Sequence, residues 1–221
     1  MRERRATRAF REKRQLKRKT ALALSVGAMT LSTAAIDPSN LLQPGWNVSQ
    51  INPHEVRQPA TLLNVSSSFK QALVEEEGVR EVVYRDVAGY PTVGVGHLIT
   101  PADGLKVGQR VDYDRIMRFL DKDIAIAEAG VRRLVGDLPL LQHEFDALVD
   151  LVFNVGEGNV SEHRSPNLNA AITGKDYQAI ADELAYHNAG GAVAKGLVYR
   201  SERRTQIFLD AEYEDPRAIT A

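Results

Sequence analysis

The sequence contains no cysteine, which excludes a disulfide framework, a thiolate nucleophile and a thiolate metal site. Its five histidines show no metal-ligand spacing, so no metal site is expected. Gly94-Val-Gly96 lacks the lysine and the helix start that a phosphate-binding loop needs. No cofactor is therefore expected. The chain also lacks a strong membrane span: Thr20–Ala35 carries no charge, but its 16 residues fall short of the ~20 apolar residues that cross a bilayer. Nor is there an excess of one charge, the net value being −1 over 221 residues. A hydrophobic fraction of 43% and a charged fraction of 26% exclude a chain that is disordered as a whole.

The near-neutral total conceals an asymmetry. Residues 1–20 hold ten Lys or Arg against Glu3 and Glu12, a local charge of +8, and the remaining residues carry −9. Only the tail is basic, so no specific nucleic-acid partner is expected. The basic leader, the mild apolar stretch and Ala34-Ala35 form the pattern of a secretory signal or signal-anchor. The other reading is a basic, Ala-rich docking arm. Pro38, Pro44, Gly45, Pro53 and Pro59 then punctuate a segment without sustained periodicity, though Trp46, Ile51 and Leu62-Leu63 could anchor it. The expected organisation is a leader over 1–36, a Pro-rich linker or arm over 37–65, and a folded domain over 66–221.

Order is expected to begin near Ser68, where Ser68-Phe-Lys-Gln71 reads as a capping box, followed by a short helix with a left-handed stop at Gly78. Glu75, Glu76 and Glu77 fall in its last turn, where the helix dipole disfavours a negative charge. Val82–Tyr84 and Thr92–Gly96 read as strands joined through the turn-like Asp86–Pro91. Helical patterns follow. The first carries Ile116, Leu120, Ile124 and Val131 behind an Asp112 cap. Later ones carry Phe145, Leu148 and Val152, then Tyr177, Ile180 and Leu184, then Ile207 and Phe208. A small antiparallel sheet followed by helices makes an α+β domain.

The chemistry concentrates between Glu77 and Thr100. Glu77 ends a helix, Asp86 sits nine residues later at a hairpin, and the Thr92 hydroxyl lies six further on. A hairpin folded back toward the helix end makes a cleft between two carboxyls. Glycoside hydrolysis uses such a pair, one carboxyl as acid on the leaving oxygen and the other to direct water.

The motif E-G-x-R-x-x-x-Y-x-D-x-x-G-x-x-T-x-G-x-G-H over Glu77–His97 resembles that of the phage-type lysozymes, glycoside hydrolase family 24. The likeness continues through Phe145–Val149, Phe153–Gly156, Ala189–Gly191, Gly196–Arg203 and Phe208-Leu209, and covers roughly residues 68–210. The resemblance implies a lysozyme-like fold with a β lobe and a helical lobe. It implies a muramidase that cleaves the β-1,4 bond between N-acetylmuramic acid and N-acetylglucosamine with inversion. Carried over by position, Glu77 is the general acid, Asp86 activates the attacking water, and Thr92 helps to hold it. Inversion calls for carboxyls roughly 6.5–9.5 Å apart. Glu77 is expected to be protonated at working pH through partial burial and the nearby Asp86 charge.

By the same resemblance, His97 supports the fold by pairing with Asp123 on the next long helix. Leu98 and Phe153 match positions that line the glycan cleft, with ordinary core packing as the other reading. Gly94 and Gly96 read as permitting a strand bend or close backbone approach. His187 stands where many relatives have Trp. The expected biology is a monomeric phage endolysin, exported to the host periplasm and acting on peptidoglycan. The alternatives are a virion-associated lysozyme whose residues 1–65 dock on membrane or virion proteins, and a non-catalytic lysozyme-like module. A lytic transglycosylase is disfavoured by the presence of Asp86 and Thr92.

Overall fold

The computed structural model describes residues 56–215, except 185–187, 190–191 and 194. The described part opens with β1 (Gln58–Pro59) and a 3-10 turn over Ala60–Leu62. Helix α1 (Ser67–Glu77) then feeds a three-stranded antiparallel sheet of β2 (Arg80–Arg85), β3 (Pro91–Gly94) and β4 (His97–Leu98), in that spatial order. The long helix α2 (Tyr113–Val135) follows, then β5 (Pro139–Leu140), α3 (Gln142–Val155), α4 (Pro166–Thr173) and α5 (Tyr177–Glu183). A short hairpin of β6 (Asn188–Ala189) and β7 (Ala192–Val193) precedes the last helix, α6 (Lys195–Asp210).

Helix α1 starts two residues before the expected capping box. Its N-cap is Ser66, whose hydroxyl oxygen accepts from the Phe69 amide at 3.0 Å. The reason is tertiary. The Ser66 hydroxyl and amide both donate to Asp146 on α3, at 2.6 and 3.1 Å, which fixes Ser66 as the cap. At the other end Gly78 takes φ +70° and ψ 169°. The positive φ suits glycine, and the extended ψ sends the chain straight into β2 rather than into the left-handed stop expected.

In the sheet, Tyr84 faces Thr92 and Thr92 faces Leu98. The expected returning strand, Thr92–Gly96, ends early at Gly94. Gly94 has φ +65°, and a Cβ there would lie 2.6 Å from Ile116 Cγ2, so β3 ends where it touches α2. Gly96, also at positive φ, lies in the turn to β4. The far edge of β2 is covered by residues 108–111. Val83 N donates to Gln109 O at 2.9 Å, and Val111 N to Glu81 O at 2.8 Å.

Asp112 caps α2 as expected, accepting from Arg115 N at 2.8 Å. The 23 residues of α2 span about 35 Å at 1.5 Å per residue, long enough to pack on β3 at one end and along α3. Ile116, Leu120, Ile124 and Val131 line its buried face. They meet Phe145 and Leu148 of α3, Ile180 and Leu184 around α5, and Phe208 of α6 in one continuous core. Each such side chain contributes about 1.5–3 kcal/mol on burial. The eight-residue α4 is too short for its apolar positions to repeat, so periodicity does not reveal it, although Pro166 at its start and Gly174 after its end mark it.

Residues 57–65, expected in the linker, are packed against the domain. β1 pairs with β5, Gln58 opposite Leu140, and Ala60 and Leu63 are buried. Arg132 on α2 donates to the carbonyls of Ala60 and Leu63 at 3.2 and 2.6 Å, and Val65 N donates to Glu128 at 2.8 Å. Leu62 of the expected anchor pair is exposed, while Trp46 and Ile51 lie outside the described residues.

Candidate active site

Glu77 is the last residue of α1, at the point where the chain turns into the sheet. Its side chain is 28% exposed, and it is ion-paired with Arg200 on α6, whose own side chain is 13% exposed. The Arg200 partner is not one that the sequence pattern points to. Arg200 is 123 residues away, and nothing in local spacing connects the two.

Asp86 closes the β2–β3 turn. Its Oδ1 accepts from the amides of Ala88 and Tyr90, at 2.9 and 2.8 Å, and its own amide donates to Tyr90 O at 2.9 Å. This side-chain turn explains why an Asp at the start of Asp86–Pro91 folds the hairpin locally. The residue is half-buried. Thr92 is buried on β3, and its hydroxyl donates to Tyr90 O at 3.1 Å. The sheet thus places Asp86 and Thr92 at one hairpin, entered directly from the helix that ends in Glu77.

Leu98 lies beside Thr92 in the register and is 54% exposed, which sets aside its reading as a core residue. Phe153 on α3 is partly buried and packs against the core. His187 lies outside the described residues.

His97 Nδ1 lies 2.8 Å from Asp123 Oδ2, so the expected contact between β4 and α2 is present. The ring also stacks on Phe119, with centroids 4.1 Å apart. A second carboxylate, which spacing does not reveal, completes the group: Asp103 Oδ2 lies 3.6 Å from His97 Nε2, a buried atom without a hydrogen-bond partner. Burial acts to raise the Asp103 carboxyl. Hydrogen bonds from the Thr100 hydroxyl and amide, with His97 nearby, outweigh it and hold the group below its ordinary value. Among the described residues no cluster of His, Asp or Glu could hold a metal ion, and no helix is long and apolar enough to cross a membrane.

The phage lysozyme family profile matches residues 74–204. The endolysin of Salmonella phage P22 is 32% identical over 150 residues, covering 67% of this chain and 99% of that protein. The SAR-endolysin of Escherichia phage Mu is 31% identical over 140 residues, covering 63% of this chain and 77% of that protein. The crystal structure of a point mutant of the phage P22 lysozyme is 29% identical with a TM-score of 0.58, covering 67% of this chain and 100% of that one. With a carboxyl-bearing helix end opening into a small sheet, and with this extent of match, the chain belongs to the phage lysozyme family and is a glycoside hydrolase of lysozyme type.

Proposed function

We propose that this protein is a muramidase endolysin in which Glu77, Asp86 and Thr92 carry the chemistry. The supporting observation is the junction of α1 with the sheet. A partly exposed carboxyl ends the helix, and a second carboxyl and a hydroxyl both lie on the hairpin that follows, each bonded to Tyr90. Glu77 delivers a proton to the glycosidic oxygen as the bond to N-acetylmuramic acid breaks. Asp86 uses Oδ1 to hold the turn, and its other oxygen is left to orient and deprotonate water. Thr92 helps to hold that water. Attack opposite the leaving group inverts the anomeric centre. Leu98 and Phe153 line the glycan cleft, while His97 and Asp123 fasten the sheet to α2.

Purified full-length protein tests this against outer-membrane-permeabilised Gram-negative cells. Glu77→Gln is expected to lose roughly a hundredfold to ten-thousandfold in clearing rate while remaining folded. NMR of the first product is expected to show the inverted anomer. A Glu77→Gln variant with full activity overturns the assignment, and a 1,6-anhydro product overturns hydrolysis.

The protein acts as a monomer on the host cell wall and reaches it through residues 1–36. The support is the basic-apolar leader, together with the likeness to a relative named as a SAR-endolysin. Fractionation of host cells expressing the full chain or residues 37–221 is the check. Recovery of both in the cytoplasm would refute export.

A further inference from the structure

Behind Glu77 lies a row of alternating charges that the proposed reaction does not use. Arg200, paired with Glu77, has Nε 4.0 Å from Asp150 Oδ1 on α3. Asp150 Oδ2 accepts from Arg204 Nε at 2.6 Å. Arg204 is one helical turn beyond Arg200 on α6 and its side chain is 1% exposed; its Nη1 also donates to Leu184 O at 3.3 Å. Asn154 is one turn beyond Asp150 on α3. With its amide carbonyl turned toward the guanidiniums, it accepts from Arg200 Nε and Nη1 at 3.0 Å and from Arg204 Nη2 at 3.2 Å. The order Glu77, Arg200, Asp150, Arg204 is minus, plus, minus, plus.

We propose that Asp150 is a positioning residue that divides the charge of Arg200 between itself and Glu77, and so lets Glu77 work as an acid. This rests on the reading of Glu77 as the general acid. A carboxyl that must carry a proton is poorly served by a guanidinium with no other anion to face, because opposite charge within about 4–6 Å favours the ionised form. Asp150 supplies the other anion. Its burial and its grip on Arg204 fix its position, and α3 and α6 pack closely along this face. The remaining charges nearby do not supply the same balance. Glu75 and Glu76 on α1 are engaged by Arg203, at 3.2 and 3.5 Å, although Glu76 also lies within electrostatic reach of Arg200. Asp86 lies on the hairpin, where its Oδ1 accepts from the Ala88 and Tyr90 amides.

The test is the pH profile of cell-wall hydrolysis by the full chain and three variants. Asp150→Asn leaves two cations beside Glu77 with only a neutral amide between them. Its alkaline limb of activity is expected to move to lower pH by about one unit, with a loss of severalfold or more at neutral pH. Arg204→Gln removes the competing cation, frees Asp150 for Arg200, and is expected to move the same limb to higher pH. The double variant Asp150→Asn/Arg204→Gln removes one charge of each sign and is expected to return the limb toward its original position. Circular dichroism establishes which variants are folded. If Asp150→Asn does not fold, the other two still decide the matter. Loss of activity equally at every pH, with the limb unmoved in all folded variants, overturns the proposal and leaves only a structural ion pair. A fully active Glu77→Gln instead overturns the underlying assignment of Glu77.

Discussion

Arg57 holds Glu144 with two hydrogen bonds, Nη2 to Oε1 at 2.6 Å and Nε to Oε2 at 3.0 Å, while its guanidinium lies 3.7 Å from the Tyr177 ring centre. The pair joins the arm before α1 to the first turn of α3. Glu144 is buried and its other hydrogen bond comes from the Leu141 amide, so removing Arg57 strands most of a charge. Arg57 itself is 40% exposed, which limits the effect. Arg57→Ala is expected to lower stability by about 1–2 kcal/mol. A chain starting at residue 60 loses this pair and β1 together, and should melt below one starting at residue 56. Equal melting temperatures for the two would show that the arm does not belong to the folded domain.

Asp86→Asn separates the turn from the chemistry. The Asn carbonyl can accept the Ala88 and Tyr90 amides as the carboxylate does, so the hairpin should persist and stability should change by no more than about 0.5 kcal/mol. Activity should nevertheless fall by roughly a hundredfold or more, because an amide cannot take a proton from water. Thermal melts and turbidity assays on one preparation read both effects. A variant that melts like the parent and clears cells as fast would remove Asp86 from the mechanism.

Gly94→Ala should be among the costliest single-methyl additions in the domain. The backbone has φ +65°, and the new Cβ would meet Ile116 Cγ2 at 2.6 Å. Strain at positive φ and overpacking together cost about 2–5 kcal/mol. Urea denaturation of Gly94→Ala, alone and with Ile116→Ala, separates the two sources. Measured against Ile116→Ala alone, which carries its own cavity cost, the added Gly94→Ala change should cost less by the part due to the clash and keep the part due to φ. A Gly94→Ala protein as stable as the parent would contradict the close approach of β3 to α2.

Stability should fall with rising pH through Asp146. Burial pushes this carboxyl up, outweighing the hydrogen bonds from the Ser66 hydroxyl, the Tyr213 hydroxyl, the Ser66 amide and Gln142. The folded state therefore keeps a proton in a range where the unfolded carboxyl, at about 3.9, has lost it. That contribution is complete below the unfolded value and disappears as pH rises through the folded one. Asp146→Asn carries no ionisable proton and should lack this component. Melting temperatures measured from about pH 3.5 to 7 should diverge in slope between the two proteins, and parallel curves would assign the pH dependence elsewhere.

Much of this molecule is written locally. The Asp112 cap and the spacing of Ile116, Leu120, Ile124 and Val131 determine α2 without reference to any other element, because a 3.6-residue period makes one apolar face. Asp86 folds its own turn, and the series Glu77, Asp86, Thr92 lies within 16 residues, so the candidate chemistry is legible as a motif. Tertiary structure decided what depends on partners far along the chain. Ser66 rather than Ser68 caps α1 because Asp146 waits 80 residues later. Residues 57–65 join the domain because β5, Arg132 and Glu144 supply their hydrogen bonds. Arg200 reaches Glu77, and Asp150 reaches Arg200, across separations on which sequence periodicity is silent. Short-range patterning is fixed by backbone geometry. Pairing between buried charges is fixed by which helices pack together, and only the folded chain brings those charges within reach of one another.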